Sequence, residues 1–168
     1  MSSFKGTILD ATALIDFRWL DEWDWLRTHY GPLFIAWEVL DADQLEPEER
    51  AIARAQLAPL HLDTQPMYAD YASIGDRGPG LSSADRATLI LAQHYRLTCA
   101  TDDGRMVREC ESGGIAFVRT LQLLSKMVEA GHRPTAEVLE MAEMLIGDRG
   151  KYVSERVLRR WKRSLTAD

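Results

Sequence analysis

Four short runs of β-forming or apolar residues, each separated from the next by stretches with helical periodicity, constrain this chain more than any other feature. They are TIL at 7–9, LFIA at 33–36, LTCA at 97–100 and IAFV at 115–118. Helical patterns cover 10–17 and 21–30, run from Trp37 to about Asp43, begin again at Pro47, and continue with SSADRATLILAQHYR from Ser82 and with 105–111. Three more are expected near 120–130, 135–146 and 154–165. Gly31-Pro32, GDRGPG at 75–80, TDDG at 101–104, Gly131/Pro134 and Gly147–Gly150 read as the turns and loops between elements. Strands alternating with helices predict an α/β fold, a parallel sheet flanked by helices. A chain of 168 residues is large enough to bury its own core and is read as one domain, 1–168.

In parallel α/β sheets ligands gather beyond the carboxyl ends of the strands. Asp10 follows the first run, Glu38 the second, and Asp102-Asp103 the third. Asp85 lies in the first turn of the helix opened by Ser82. Each has a structural reading: Asp10 as a helix N-cap, Ser82-x-x-Asp85 as a capping box, Asp102-Asp103-Gly104 as a turn, Glu38 as a solvated helix residue. Two contexts count against those readings. Asp85 shares a helix face with Leu89 and Ala92, and Asp10 closes a strand expected to be buried, with the next basic residue only at Arg18. A buried carboxylate is unfavourable without a partner. A divalent cation is a sufficient one, and an oxygen-only site suits Mg²⁺ or Mn²⁺.

Periodicity does not show that these acids converge. The stretches GTILDATALIDF, FIAWEVLDAD, LSSADRATLILAQ and LTCATDDGRMVRECESGGI resemble, in order and spacing, the acidic motifs of the PIN-domain family. The resemblance implies a three-layer α/β/α fold around a parallel sheet. It also implies membership of a group made up mostly of metal-dependent ribonucleases, VapC-type toxins among them. It covers about 5–118, and RTLQLLSKMVEAGHRP onward looks like the helical C-terminal extension, about 119–168, of a toxin-like subgroup. Position by position, Asp10, Glu38 and Asp85 match the first three acids and Thr12 the small hydroxyl residue after the first. The fourth acid is Asp103 by a Thr-x-acid spacing from Thr101, or Asp102 directly after it. Trp37 and Ala11 depart from the usual pattern without removing an acid.

The resemblance implies a metal-dependent endoribonuclease. Asp10 and Asp85 would be central ligands of Mg²⁺ or Mn²⁺, with Glu38 and Asp103 or Asp102 completing the set. The ion would activate water for in-line attack on an RNA phosphodiester, with Thr12 and Thr101 orienting ligands or water. An antitoxin protein and a homodimer are further implied partners. The alternative is a catalytically silent PIN module that binds protein or nucleic acid. A phosphatase of the haloacid dehalogenase type needs an acid two residues after the strand-end Asp, where this chain has Thr12.

The net charge of −6 is unlike that of most nucleic-acid binders, but its distribution is uneven. Residues 1–103 carry 17 acids and 8 bases, whereas 104–168 carry 9 acids and 12 bases. Phosphate contacts are therefore sought in Arg105 and Arg108, one and two turns beyond the Asp pair, with a solvated helix face as the other reading. RVLRRWKR near the end is the second candidate; it should dock through Val157, Leu158, Trp161 and Leu165 and show its bases outward. His29, His61, His94 and His132 have no companion nucleophile motif, and His94 fits a surface position near a helix end. Trp19, Trp23, Trp25 and Trp37 read as core or as an oligomer interface. Cys99 and Cys110 have neither the number nor the spacing of a disulfide framework or zinc site. No apolar run approaches the roughly 20 residues of a membrane helix, and a cytoplasmic setting with free thiols is expected.

Overall fold

The computed structural model describes residues 6–77 and 80–167. Its strands are β1 (Thr7–Leu9), β2 (Leu33–Ala36), β3 (Ala58–Leu60), β4 (Thr98–Ala100) and β5 (Phe117–Val118). The helices between them are α1 (Ala11–Leu20), α2 (Trp23–Tyr30), α3 (Trp37–Leu40), α4 (Pro47–Gln56), α5 (Gln65–Arg77), α6 (Ser83–Tyr95) and α7 (Gly104–Gly113). After β5 come α8 (Thr120–Glu129), α9 (Thr135–Gly147) and α10 (Glu155–Thr166). The chain divides into two compact units, the first ending at Val118 and the second beginning at Arg119.

All strand pairings in the first unit are parallel, in the order β3-β2-β1-β4-β5. From β1 the chain steps outward to β2 and β3, then returns past β1 to β4 and β5. Right-handed crossovers in the two directions put helices on opposite faces of the sheet, giving three α/β/α layers. On one side α1 packs on β1 and α4; on the other α6 lies across β1, β2 and β4 and is flanked by α5 and α7. Ile8, Leu9 and Ile35 of the sheet and Leu89, Ile90 and Leu91 of α6 are fully enclosed. Each such side chain contributes about 1.5–3 kcal/mol by leaving water. That packing offsets the weak intrinsic pairing of strands only two to four residues long.

Two elements lie outside the sequence pattern. β3 contains Pro59, which has no amide to donate and is tolerated because β3 is an edge strand paired only with β2. α5 occupies a stretch with no helical signal of its own, and Gly75–Arg77, loop-like by composition as part of GDRGPG, form its last turn. Gly80 lies in a turn, and Gly78 and Pro79 are outside the described residues.

In the second unit Trp161 is buried, and its indole N–H donates to the Leu121 carbonyl (2.9 Å) and to Ser125 Oγ (2.8 Å) on α8. The expected docking side of α10 is thus centred on Trp161, with Arg156, Arg159, Arg160 and Arg163 exposed. Val157 is exposed rather than docked, and Lys151, one of the 12 bases of 104–168, is buried.

Candidate functional site

β1 and β4 are neighbours, and the strand order reverses between them, so their carboxyl ends open on the crevice where parallel sheets hold ligands. The register Leu9↔Ala100 brings the next residues, Asp10 and Thr101, side by side. The Asp10 amide donates to the Ala100 carbonyl (3.2 Å) before the chain turns into α1. Asp10 is the extended N-cap of that helix, its Oδ1 accepting the Ala13 amide at 2.8 Å. Its Oδ2 accepts the Thr101 hydroxyl at 2.6 Å. Thr101 Oγ1 in turn accepts the Asp103 amide at 3.1 Å, with Met106 Sδ at 3.6 Å. One buried hydroxyl therefore joins the end of β1 to the start of α7.

Asp10 is 3% exposed, and among the described residues its side chain is hydrogen-bonded only by these two neutral groups. Burial raises its pKa from 3.8 to about 7. The Thr101 and Ala13 hydrogen bonds oppose that rise, and repulsion from Asp102 and Asp85 adds to it.

Asp85 makes the reciprocal box with Ser82, its amide donating to Ser82 Oγ at 3.0 Å and its Oδ2 accepting the Ser82 amide at 3.4 Å. It is half-buried beneath the enclosed Leu89 and Ala92. Burial raises its pKa, and Asp103 raises it further. Asp103 is exposed and caps α7, Oδ1 accepting the amides of Arg105 (2.9 Å) and Met106 (3.0 Å). Both acids of the 102–103 pair thus act on the site, Asp102 on Asp10 and Asp103 on Asp85.

Glu38 stands in the first turn of α3, beyond β2. Its Oε2 is enclosed and takes no hydrogen bond from the described residues. Asp85 Oδ1 and Asp103 Oδ2 also accept none from the described residues. These are oxygen donors with free lone pairs, but among the described residues no three His, Cys, Asp or Glu side chains already stand as a metal cage. Like charges repel, and Asp10, Asp85 and Asp103 each serve a helix N-terminus as well. Thr12, half-buried in the first turn of α1, makes no hydrogen bond to the described residues. Arg105 Nη1 donates to the Gly80 carbonyl at 2.8 Å, fastening the connection before α6 to the start of α7. Arg108 is exposed and forms no ion pair with the described residues.

A family model described as a PIN domain matches residues 6–167. The chain belongs to the PIN-domain family. PIN domains are generally nucleases and typically use divalent metals, so this is a nuclease-type domain with an expected affinity for nucleic acid. No curated protein matches the chain. Among the described residues, no helix of this PIN-domain protein is long and apolar enough to cross a membrane.

Around this site the tertiary structure gives further side chains their surroundings. Asp16 on α1 is a fully buried acid; its place in the apolar run ALIDF was the available signal. His94 pairs with Asp70 Oδ2 at 2.8 Å rather than answering the helix end alone. Trp23 and Trp25 are core, but Trp19 and Trp37 are exposed. Cys99 and Cys110 are free, buried and hydrogen-bonded to each other, which together with burial pushes the Cys99 thiol well up.

Proposed function

We propose that this PIN-domain protein is a metal-dependent endoribonuclease that hydrolyses RNA phosphodiester bonds. The observation that carries the proposal is Asp10: a carboxylate buried at the switch point, with no cationic side chain bonded to it among the described residues and with Asp102 and Asp85 repelling it. The donor set fits Mg²⁺ or Mn²⁺. Asp10 and Asp85 would hold the ion, with Glu38, whose enclosed Oε2 has no donor among the described residues, and Asp103 or Asp102. When bound, the ion supplies Lewis acidity that activates water and offsets charge on the phosphate oxygens.

The protein's own groups prepare that chemistry. Thr101 fixes Asp10 Oδ2, and each Asp10 oxygen, accepting one hydrogen bond, keeps acceptor capacity for a further partner. The free hydroxyl of Thr12 can orient a water or a ligand. Arg108 is the available phosphate contact, while Arg105 is engaged with Gly80 and supports substrate binding through that loop. The family match across 6–167 supports treating both units as one PIN-like domain. A toxin-like role, an antitoxin partner, a homodimer and a cytoplasmic setting belong to the same proposal and rest on the VapC-type resemblance.

A second reading, a silent PIN module that binds protein or nucleic acid, is favoured by one observation: the acids form no ready-made cage among the described residues. Calorimetric titration of Mn²⁺ and Mg²⁺ into wild type and Asp10→Asn, with RNA cleavage on the same samples, separates the two. Metal binding and cleavage in wild type, both lost in the variant, support the nuclease. A wild type that binds no ion at millimolar concentration and cuts no RNA leaves the acids as helix caps and the silent module as the function.

A further inference from the structure

The register that places the acids also places an aromatic surface beside them. Phe34↔Ala58 and Ala36↔Leu60 align β2 with β3, so the residues just beyond the paired ends, Trp37 and His61, emerge next to each other. Their rings stack, centroids 5.0 Å apart and 26° between planes. Trp37 nevertheless stays 40% exposed, and His61 is exposed. Tyr68, 55% exposed, donates its hydroxyl to the Leu62 carbonyl at 2.7 Å, which sets a third ring beside the residue after His61.

This row lies at the level of the acids. Extending Ile8↔Phe34 by two residues puts Asp10 level with Ala36. Trp37 and His61 therefore follow strands about one and two strand spacings from β1, roughly 5 and 10 Å. Trp37 is also the residue before Glu38. Its helix neighbours Val39 and Leu40 are buried, so they add no aliphatic surface beside the exposed indole. What is displayed is flat π-surface at a crevice edge.

We propose that Trp37, backed by His61 and extended by Tyr68, is a stacking platform for an unpaired nucleobase flanking the phosphate at the carboxylates. Aromatic faces hold bases of single strands with little sequence preference. The platform supplies affinity that an acidic crevice lacks and selects single-stranded over duplex substrate, because a paired base keeps both faces stacked on its neighbours. This inference rests on the nuclease reading for its position relative to a scissile bond.

The test is an abasic scan. Single-stranded oligoribonucleotides, each lacking one base, are compared with the intact strand as substrates of wild type, Trp37→Ala and Trp37→Phe with Mn²⁺. Wild type should lose about tenfold in kcat/KM at one or two abasic positions beside the cut. Trp37→Ala should lose the same factor on the intact strand, mainly through KM, and no longer respond to those positions; Trp37→Phe should recover part of both. Trp37→Phe, which keeps a ring against His61, should unfold close to the wild-type temperature. Wild-type indifference to every missing base, or a Trp37→Ala enzyme that keeps the wild-type pattern, overturns the platform while leaving the nuclease intact. So does a Trp37→Ala defect that coincides with loss of a dimer in sedimentation, which makes the surface a contact between copies. If wild type cuts nothing, the nuclease reading fails separately. Anisotropy of a labelled single strand then decides the platform, a tenfold weaker Trp37→Ala supporting it and equal binding overturning it.

Discussion

Asp10→Asn tests the electrostatics of the site without any metal. In the folded protein the Asp10 carboxyl titrates near 7, against 3.8 ordinarily. Below about pH 4 the group is protonated whether the chain is folded or not, and it has no effect on stability. As the pH rises from 4 to 7 the unfolded chain releases its proton while the folded one holds it, so stability falls with pH. About three units at 1.36 kcal/mol each give roughly 4 kcal/mol, complete above pH 7. Asn cannot ionise. Its amide can donate to Thr101 Oγ1, whose hydrogen then turns to Met106 Sδ, so the local bonds can be rearranged rather than lost. The stability difference between variant and wild type should therefore move by about 4 kcal/mol in favour of Asn between pH 4 and 8. Repulsion from Asp102 and Asp85 is already part of that figure. Urea denaturation in EDTA, followed by tryptophan fluorescence across that range, measures it. Parallel stability–pH curves for the two proteins would refute the reasoning, for they would mean that Asp10 ionises in the fold without cost.

Three further expectations concern its neighbours. Thr101→Val removes the donor to Asp10 and the acceptor of the Asp103 amide; a loss of about 1–3 kcal/mol is expected by denaturation at pH 6, and no change would show the hydroxyl to be dispensable. Gly80→Ala meets both a φ of +104° and the Arg105 guanidinium, so about 1–2 kcal/mol should be lost, part of it recovered in the Gly80→Ala/Arg105→Ala double variant, which no longer has the guanidinium in the way. Cys99 and Cys110, both fully buried, should react with a thiol reagent in the native protein only at the rate of opening, and stoichiometrically in urea; rapid native labelling of either would contradict the packing.

How much of this was legible in the sequence depended on whether the deciding interaction is local. β1, β2, β4 and β5 and the helices from Ser83 and Pro47 announce themselves by apolar runs, caps and punctuation within a few residues. β3 does not. A three-residue APL segment with a proline becomes a strand only because β2 offers it an edge, a partner more than twenty residues away. α5 was obscured for the same reason: the loop-like composition of Gly75–Arg77 is overridden by packing on α6, where Arg86 lies over the Tyr71 ring at 4.5 Å. Val157 shows the reverse, an apolar residue at helical spacing that the fold leaves in water.

The sequence by itself determined the alternation of strand and helix, and with it a parallel sheet whose strand ends carry Asp10, Glu38 and the Asp102-Asp103 pair. Those depend on residue type and spacing along one chain segment. Only the tertiary structure decided that the strand order reverses between β1 and β4, and that Thr101 bonds Asp10 across 91 positions. It alone decided which acid repels which, that Arg105 is bound to Gly80, and that Trp37 stacks on His61 instead of entering the core. Charge and burial act through distance in space, and a sequence specifies that distance only after the sheet has set its register.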